Sequence, residues 1–177
     1  ALADLDIASN EPLKTAKINI IGTINALEIC KKYNIKRFIF ASSIYANAEE
    51  GSFYGSSKQA AESYIEKFYN NFGLNYTILR FGSLYGNRSG RGNGIKVLIN
   101  SGIKKGKLIY GGSKRAARKY IHVEDAANSC VEVIQKKYQN KYLTITGKRT
   151  VKVKNLIDIL AKHLKISRNK IKFLNNK

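Results

Sequence analysis

Residues 13–81 alternate long helical patterns with short apolar runs, and that order constrains the fold more than any other feature of the chain. Leu13 to Tyr33 reads as a helix: Leu13, Ala16, Ile20, Ile24 and Leu27 keep close to helical spacing, Pro12 suits a first-turn position, and Asn34 follows as a stop. Ile35 to Ala41 is a short β-prone run whose only charges, Lys36 and Arg37, stand at its entry. Tyr54 to Phe72 is a second long helix with Gly73 just beyond its end, and Tyr76 to Phe81 is a second strand. Helix, strand, helix, strand requires parallel strands joined by crossover helices, and so an α/β fold.

Beyond Gly82 the chain changes character. Gly82 to Gly94 is rich in Gly, Arg and Asn and reads as a loop on the substrate side. After it, Ile95–Ile103, Glu124–Tyr138 and Asn155–Leu164 are expected as helices, and Lys107–Tyr110, Tyr120–Val123, Lys141–Thr146 and Ile171–Leu174 as short strands. The expected organisation is a first region over 1–81 and a second over 82–177, with 120–146 returning to the first region's sheet.

The formal net charge is +20 and unevenly spread: Asn87 to Tyr120 holds ten Lys or Arg and no acid, and Gly147 to Lys177 holds ten more against Asp158. Such a field can draw in a polyanion. Yet Lys, Asn and Ile richness runs through the whole sequence without any nucleic-acid-binding motif, so a solvated basic surface is expected and nucleic acid is not the expected partner. No apolar run reaches the roughly 18 residues that would span a membrane, and no signal-peptide pattern opens the chain. Cys30 and Cys130 fall on apolar helical positions, which predicts two free, buried thiols in a reducing cytoplasm. His122 and His163 have no ligand-spaced neighbours, so no metal is expected. The chain has no Met and opens on Ala1, as a sequence beginning inside a gene would.

The chemistry concentrates behind the first strand. Ser42 and Ser43 are followed by Tyr54-Gly-Ser-Ser-Lys58 at a helix start. A Tyr and a Lys four apart lie on one helical face, an ammonium beside a phenol favours the phenolate, and a strand-end hydroxyl can share a substrate oxygen with it. Together they make a base for an alcohol proton. A second Tyr-x-x-x-Lys, Tyr110 and Lys114, lies in a Gly- and Lys-rich loop with no preceding hydroxyl pair and reads as chance. No Gly-x-Gly-x-x-Gly or Gly-x-x-Gly-x-x-Gly joins a strand to a helix, as a dinucleotide pyrophosphate site would require.

Five ordered motifs resemble those of the extended short-chain dehydrogenase/reductases, in the UDP-glucose 4-epimerase-like NAD-dependent epimerase/dehydratase group. They are Asn19-Ile-Ile-Gly-Thr23 with Leu27-Glu28, Arg37-Phe-Ile-Phe-Ala-Ser-Ser43, Tyr54-Gly-Ser-Ser-Lys58, Leu79-Arg-Phe-Gly-Ser-Leu-Tyr-Gly86 and Arg118-Lys-Tyr-Ile-His-Val-Glu-Asp125. The resemblance covers nearly all of the chain. It implies the C-terminal part of a Rossmann-like doubly wound parallel sheet plus a small α/β substrate-binding region, without the N-terminal glycine-rich part. The chain alone is therefore expected to bind NAD poorly or not at all.

By position, the resemblance makes Tyr54 the base on a sugar hydroxyl and Lys58 the group that lowers its pKa and holds the nicotinamide ribose. Ser43 would bind the reacting oxygen, Ser42 would lie beside the cofactor and Phe81 near the nicotinamide. Asn19, counted with the cofactor-binding residues, would hold the active-site backbone near the strand end, and Ser83 and Arg118 would face a nucleoside diphosphate. The implied activity is nucleotide-sugar epimerisation: transient oxidation with NAD (or NADP) as cofactor, then reduction of the turned keto sugar from its opposite face. A homodimer through the two long helices, whose Tyr64, Phe68 and Tyr69 are expected on exposed faces, is also implied. Family members carry a longer loop after the catalytic strand, an Asn where Ser83 stands and an Asp where Lys119 stands. The dehydratases have a Thr-Asp-Glu at the strand end; here Ser43-Ile-Tyr45 has no carboxylate, though Glu49 and Glu50 follow. The alternatives are a reductase or dehydratase of the same group, an inactive truncated remnant, or a basic nucleic-acid-binding module.

Overall fold

A computed structural model describes residues 1–48, 52–90 and 92–175. The chain divides into two units, one of Ala1–Phe81 with Ala126–Ile145, the other of Gly82–Asp125 with Thr146–Lys177. The division at Phe81 falls where the composition changes. The second crossing comes later than the sequence predicts: Ala117–His122 pairs inside the second unit, and only the chain from Ala126 returns to the first.

The first unit opens with α1 (Leu5–Asn10), whose start is capped by the Asp4 carboxylate accepting from the Asp6 and Ile7 amides. Then comes α2 (Pro12–Ala16), continued by a π-helical turn at Lys17–Ile21 and by α3 (Gly22–Lys32). The predicted single helix is thus interrupted by one wide turn. Asn34, with φ of 52°, ends it in the left-handed region that Asn tolerates. Strand β1 (Arg37–Ser43) leads through a 3₁₀ turn, Ile44–Asn47, to α4 (Phe53–Phe72), which stops at Gly73 with φ of 71°. Strand β2 (Asn75–Phe81) follows.

In the second unit, β3 (Ser83–Tyr85), α5 (Gly94–Lys105), β4 (Leu108–Ser113) and β5 (Ala117–His122) precede α6 (Val123–Glu132), at whose first turn the chain crosses back. Strand β6 (Lys141–Ile145) completes the first unit; β7 (Thr150–Lys152), α7 (Val153–His163) and β8 (Ile171–Asn175) complete the second. Helix α6 ends at Glu132, six residues short of the expectation, and a separate 3₁₀ turn spans Lys136–Tyr138.

Strands β1, β2 and β6 form a sheet in that order, parallel throughout, as crossover helices require. Its register places Ser42 beside Arg80 and Ser43 beside Phe81. On one face Phe40, Tyr76 and Ile78 meet Leu27 of α3 and Ala61, Ile65 and Phe68 of α4. Each such large side chain, fully buried, contributes about 1.5–3 kcal/mol. Phe68 is therefore core, whereas Tyr64 and Tyr69 are exposed as predicted. The second unit has a three-stranded sheet, β3-β5-β7, and a parallel pair, β4 with β8. Its core joins Leu98 of α5, Leu108 of β4 and Val153, Ile157 and Ala161 of α7.

Cys130 is exposed and Cys30 half-buried, so the predicted pair of buried thiols is not found; Cys130 falls on the solvent side of α6. Among the described residues no helix is long and apolar enough to cross a membrane.

Candidate active site

The site is assembled where β1 ends against the start of α4. Ser52 caps α4, its hydroxyl accepting from the Gly55 amide at 3.1 Å. The helix start lies so close to the 3₁₀ turn that a Cβ on Gly55 would stand 2.6 Å from the Tyr45 carbonyl oxygen. Glycine at 55 is what lets the first turn of α4 approach the strand end, and this brings Tyr54 to Ser43. The Tyr54 phenol comes close enough to the Ser43 hydroxyl for that hydroxyl to act on its ionisation. The Ser43 oxygen accepts from the Tyr45 amide at 3.2 Å, which holds the hydroxyl in place.

One turn along α4, Lys58 is buried and its ammonium donates to the Ala41 carbonyl at 2.8 Å. The ammonium lies 4.6 Å from the centre of the Phe40 ring and 5.9 Å from that of Tyr54. Burial pushes the Lys58 ammonium below its usual range, and the nearby Glu62 carboxylate opposes that shift. The Tyr54 phenol is pushed above its usual range, chiefly by burial; the Ser43 hydroxyl pulls it down and Tyr45 pushes it further up. The sequence suggests that Lys58 depresses Tyr54. In the structure the ammonium is turned onto Ala41, and burial sets the direction of the Tyr54 shift.

Asn19 sits in the π turn, buried, and bonds in three directions. Its amide donates to the Ser57 hydroxyl at 2.9 Å and the Leu2 carbonyl at 3.0 Å, and its oxygen accepts from the Leu2 amide at 2.7 Å. Ser57 in turn donates to the Tyr54 carbonyl at 2.8 Å. Asn19 therefore braces the first turn of α4. Phe81, at the end of β2, lies in register with Ser43. Ser42 faces α4, where its hydroxyl donates to Glu62 at 2.5 Å.

In the second unit, Ser83 opens β3 beside Tyr120, and Arg118 lies on the paired strand β5, its guanidinium donating to the Ala117 carbonyl at 3.1 Å. Nearby is a hollow of about 340 Å³ lined by Tyr85, Asn87, Ser89, Lys96, Asn100 and His122. The Tyr85 and His122 rings meet edge to face, 5.1 Å apart. Tyr110 lies in β4 against Phe173, not on a helix with Lys114, as a chance motif should. Glu49 and Glu50 lie outside the described residues.

Residues 1–145 match the protein family described as the NAD dependent epimerase/dehydratase family. The chain belongs to that family. It is 32% identical over 167 residues to a putative UDP-glucose 4-epimerase of Methanocaldococcus jannaschii, covering 84% of this chain and 54% of that one. It is 28% identical to UDP-glucuronate 4-epimerase 1 of Arabidopsis thaliana, over 94% of this chain and 46% of that one. The chain thus spans about half the length of these curated relatives. Among solved structures, the UDP-glucose 4-epimerase of Thermotoga maritima with UDP-glucose superposes with a TM-score of 0.86 at 28% identity, over 97% of this chain and 61% of that one. A dTDP-glucose 4,6-dehydratase from Streptomyces venezuelae reaches 0.89 at 18% identity, a likeness of fold.

Sequence reasoning passed over Glu62 and gave Arg80 no role, although both are tied to Ser42. The signal was present: Glu62 follows Ala61 and precedes Ile65 on the apolar face of α4, one turn beyond Lys58. A charge at a core-facing helical position needs a buried partner.

Proposed function

We propose that this chain forms the catalytic and sugar-binding part of a nucleotide-sugar epimerase that works by transient oxidation of a sugar hydroxyl with NAD. The observation that carries the reading is the approach of Tyr54 to Ser43, with Lys58 anchored one helical turn on, at the C-terminal end of a parallel strand. Substrates of open α/β sheets bind at that end. With its own proton lost, Tyr54 takes the sugar hydroxyl proton while Ser43 holds the same oxygen. Tyr54 gives the proton back to that oxygen once the keto sugar has turned its opposite face to the hydride donor, and it is this change of face that inverts the carbon.

Lys58 has three ammonium protons and gives one to Ala41, so two remain for ribose hydroxyls. That donor set fits the nicotinamide-ribose end of NAD, with Phe81 beside it. NAD, when bound, would supply the hydride acceptor and donor. Ser83 and Arg118 hold the diphosphate, for which a guanidinium offers paired donors. The hollow beside Tyr85 and Lys96 offers further contacts to the nucleotide. Relatives named as UDP-glucose and UDP-glucuronate 4-epimerases support a UDP-hexose substrate and carbon 4 as the reacting centre. Ser43-Ile-Tyr45, without a carboxylate, favours epimerisation over dehydration. The same reading includes a homodimer built on the long helices, with Tyr64 at its surface; sedimentation at two protein concentrations checks it.

The test is Tyr54→Phe in the protein that carries this chain, assayed on UDP-glucose and UDP-glucuronate with NAD. Turnover should fall by about 10²- to 10⁴-fold while nucleotide-sugar binding holds. Unchanged turnover would overturn the assignment.

A further inference from the structure

Glu62 is charged, yet its side chain is only 4% exposed. Its carboxylate is filled by three bonds. Oε1 accepts from the Ser42 hydroxyl at 2.5 Å and from Arg80 Nε at 3.0 Å, and Oε2 accepts from Arg80 Nη2 at 2.6 Å. The guanidinium also stacks on Tyr142, 4.4 Å from its centre. Ser42 and Arg80 are directly paired positions of β1 and β2. One carboxylate from α4 therefore clasps both strands at one rung, immediately before Ser43.

We propose that Glu62 is a positioning residue for the Ser43–Tyr54–Lys58 site. Lys58 and Glu62 are one turn apart on α4 and grip consecutive residues of β1, the first by the Ala41 carbonyl and the second by the Ser42 hydroxyl. Two grips one turn apart fix both the height and the rotation of α4 on the strand. The height and rotation decide where Tyr54 meets Ser43. Apolar side chains of the same volume would fill this space at least as stably, since a buried ion pair repays little beyond its desolvation. What they lack is direction: the planar, two-point contact between guanidinium and carboxylate sets the carboxylate plane, and that plane sets the Ser42 hydroxyl. Glu62 is also the charge that opposes the effect of burial on Lys58.

The inference rests on the epimerase reading for its kinetic test but has a readout independent of it. The variant is the double replacement Glu62→Leu with Arg80→Met, which removes both charges together. It should fold, with kcat lower by about 10- to 100-fold and KM for the nucleotide-sugar little changed. A folded double variant with unchanged kcat would overturn the proposal. Should it fail to fold, Glu62→Gln keeps the volume and one acceptor, and a lower kcat at unchanged KM is again expected; an unchanged kcat counts against the inference. Tyr54→Phe run alongside separates the two ideas, because retained turnover there defeats the epimerase reading alone. Independent of turnover, solvent exchange of the Lys58 ammonium, followed by ¹⁵N NMR, should quicken by about tenfold or more once Glu62 is replaced. Exchange as slow as in the parent would show that the Lys58–Ala41 anchor does not depend on Glu62, and the proposal would fall.

Discussion

The two units solve opposite problems. The first carries 12 basic and 9 acidic side chains, the second 20 and 3. Yet the nearly balanced unit is the one that buries charge. Among the described residues every buried polar or charged side chain, from Thr15 and Asn19 to Ser42, Ser43, Ser57, Lys58, Glu62 and Thr77, lies in the first unit. The second keeps its charges in solvent over an apolar core of Leu98, Leu108, Val153, Ile157 and Ala161. A reaction centre needs groups whose geometry cannot relax, and burial with complete partnering supplies that. A surface for an anionic ligand needs only field and reach, which solvated lysines and arginines supply.

The contrast breaks most sharply at Glu62. Replaced alone by Ala, it leaves the Arg80 guanidinium largely buried without its partner, and a loss of about 3–5 kcal/mol is expected in urea unfolding. In the second unit the comparable loss must come from the apolar core: Ile157→Ala should cost about 2–5 kcal/mol by the same measurement. Gly55→Ala should cost about 1–3 kcal/mol, because its Cβ meets backbone at the Tyr45 carbonyl. It should also slow turnover by more than the stability loss accounts for.

Alkali should act on the first unit. Tyr54, Tyr76 and Tyr142 all have phenols held above their ordinary range, chiefly by burial, so the folded protein keeps protons that the unfolded chain releases. Their stabilisation is whole below about pH 10 and is lost as pH climbs from there toward the folded values. The melting temperature should fall over that range, and Tyr142→Phe should flatten the fall. The smallest effect is expected at the exposed pair Lys154–Asp158, 2.6 Å apart on α7: Lys154→Ala should change stability by less than about 1 kcal/mol, and less still in high salt.

How much of this was legible in sequence depended on range. Tyr54 and Lys58 were, because a helix makes residues four apart neighbours whatever surrounds it. The C-terminal end of α4 was as well, since Gly73 acts locally; its start was read one residue late, at Tyr54, with the Ser52 cap passed over. Short β3 and β7 were not: three residues each, they are strands only through pairing with β5, whose partner residues lie 31 to 37 positions away in sequence. The helix α1 announced itself only by Asp4, a cap that an acidic opening disguises. Arg80 and Ser42 are adjacent only through the register of two strands, which no local pattern records. Cys130 misled because a mixed face offers apolar spacing without saying which side is covered.

The π turn at Lys17–Ile21 has a consequence for how this chain tolerates change. Such a turn holds one residue more than an α-helix would use over the same rise. Deleting any one of these five residues would let the segment close into plain α-helix. The helix on either side would keep its phase, because the wide turn takes up its extra residue without turning the flanks. In regular α-helix one residue more or less turns everything beyond it by about 100°. At Lys17–Ile21 that rotation is swallowed in the width of a single turn, so this stretch can lose a letter and still hold its heading.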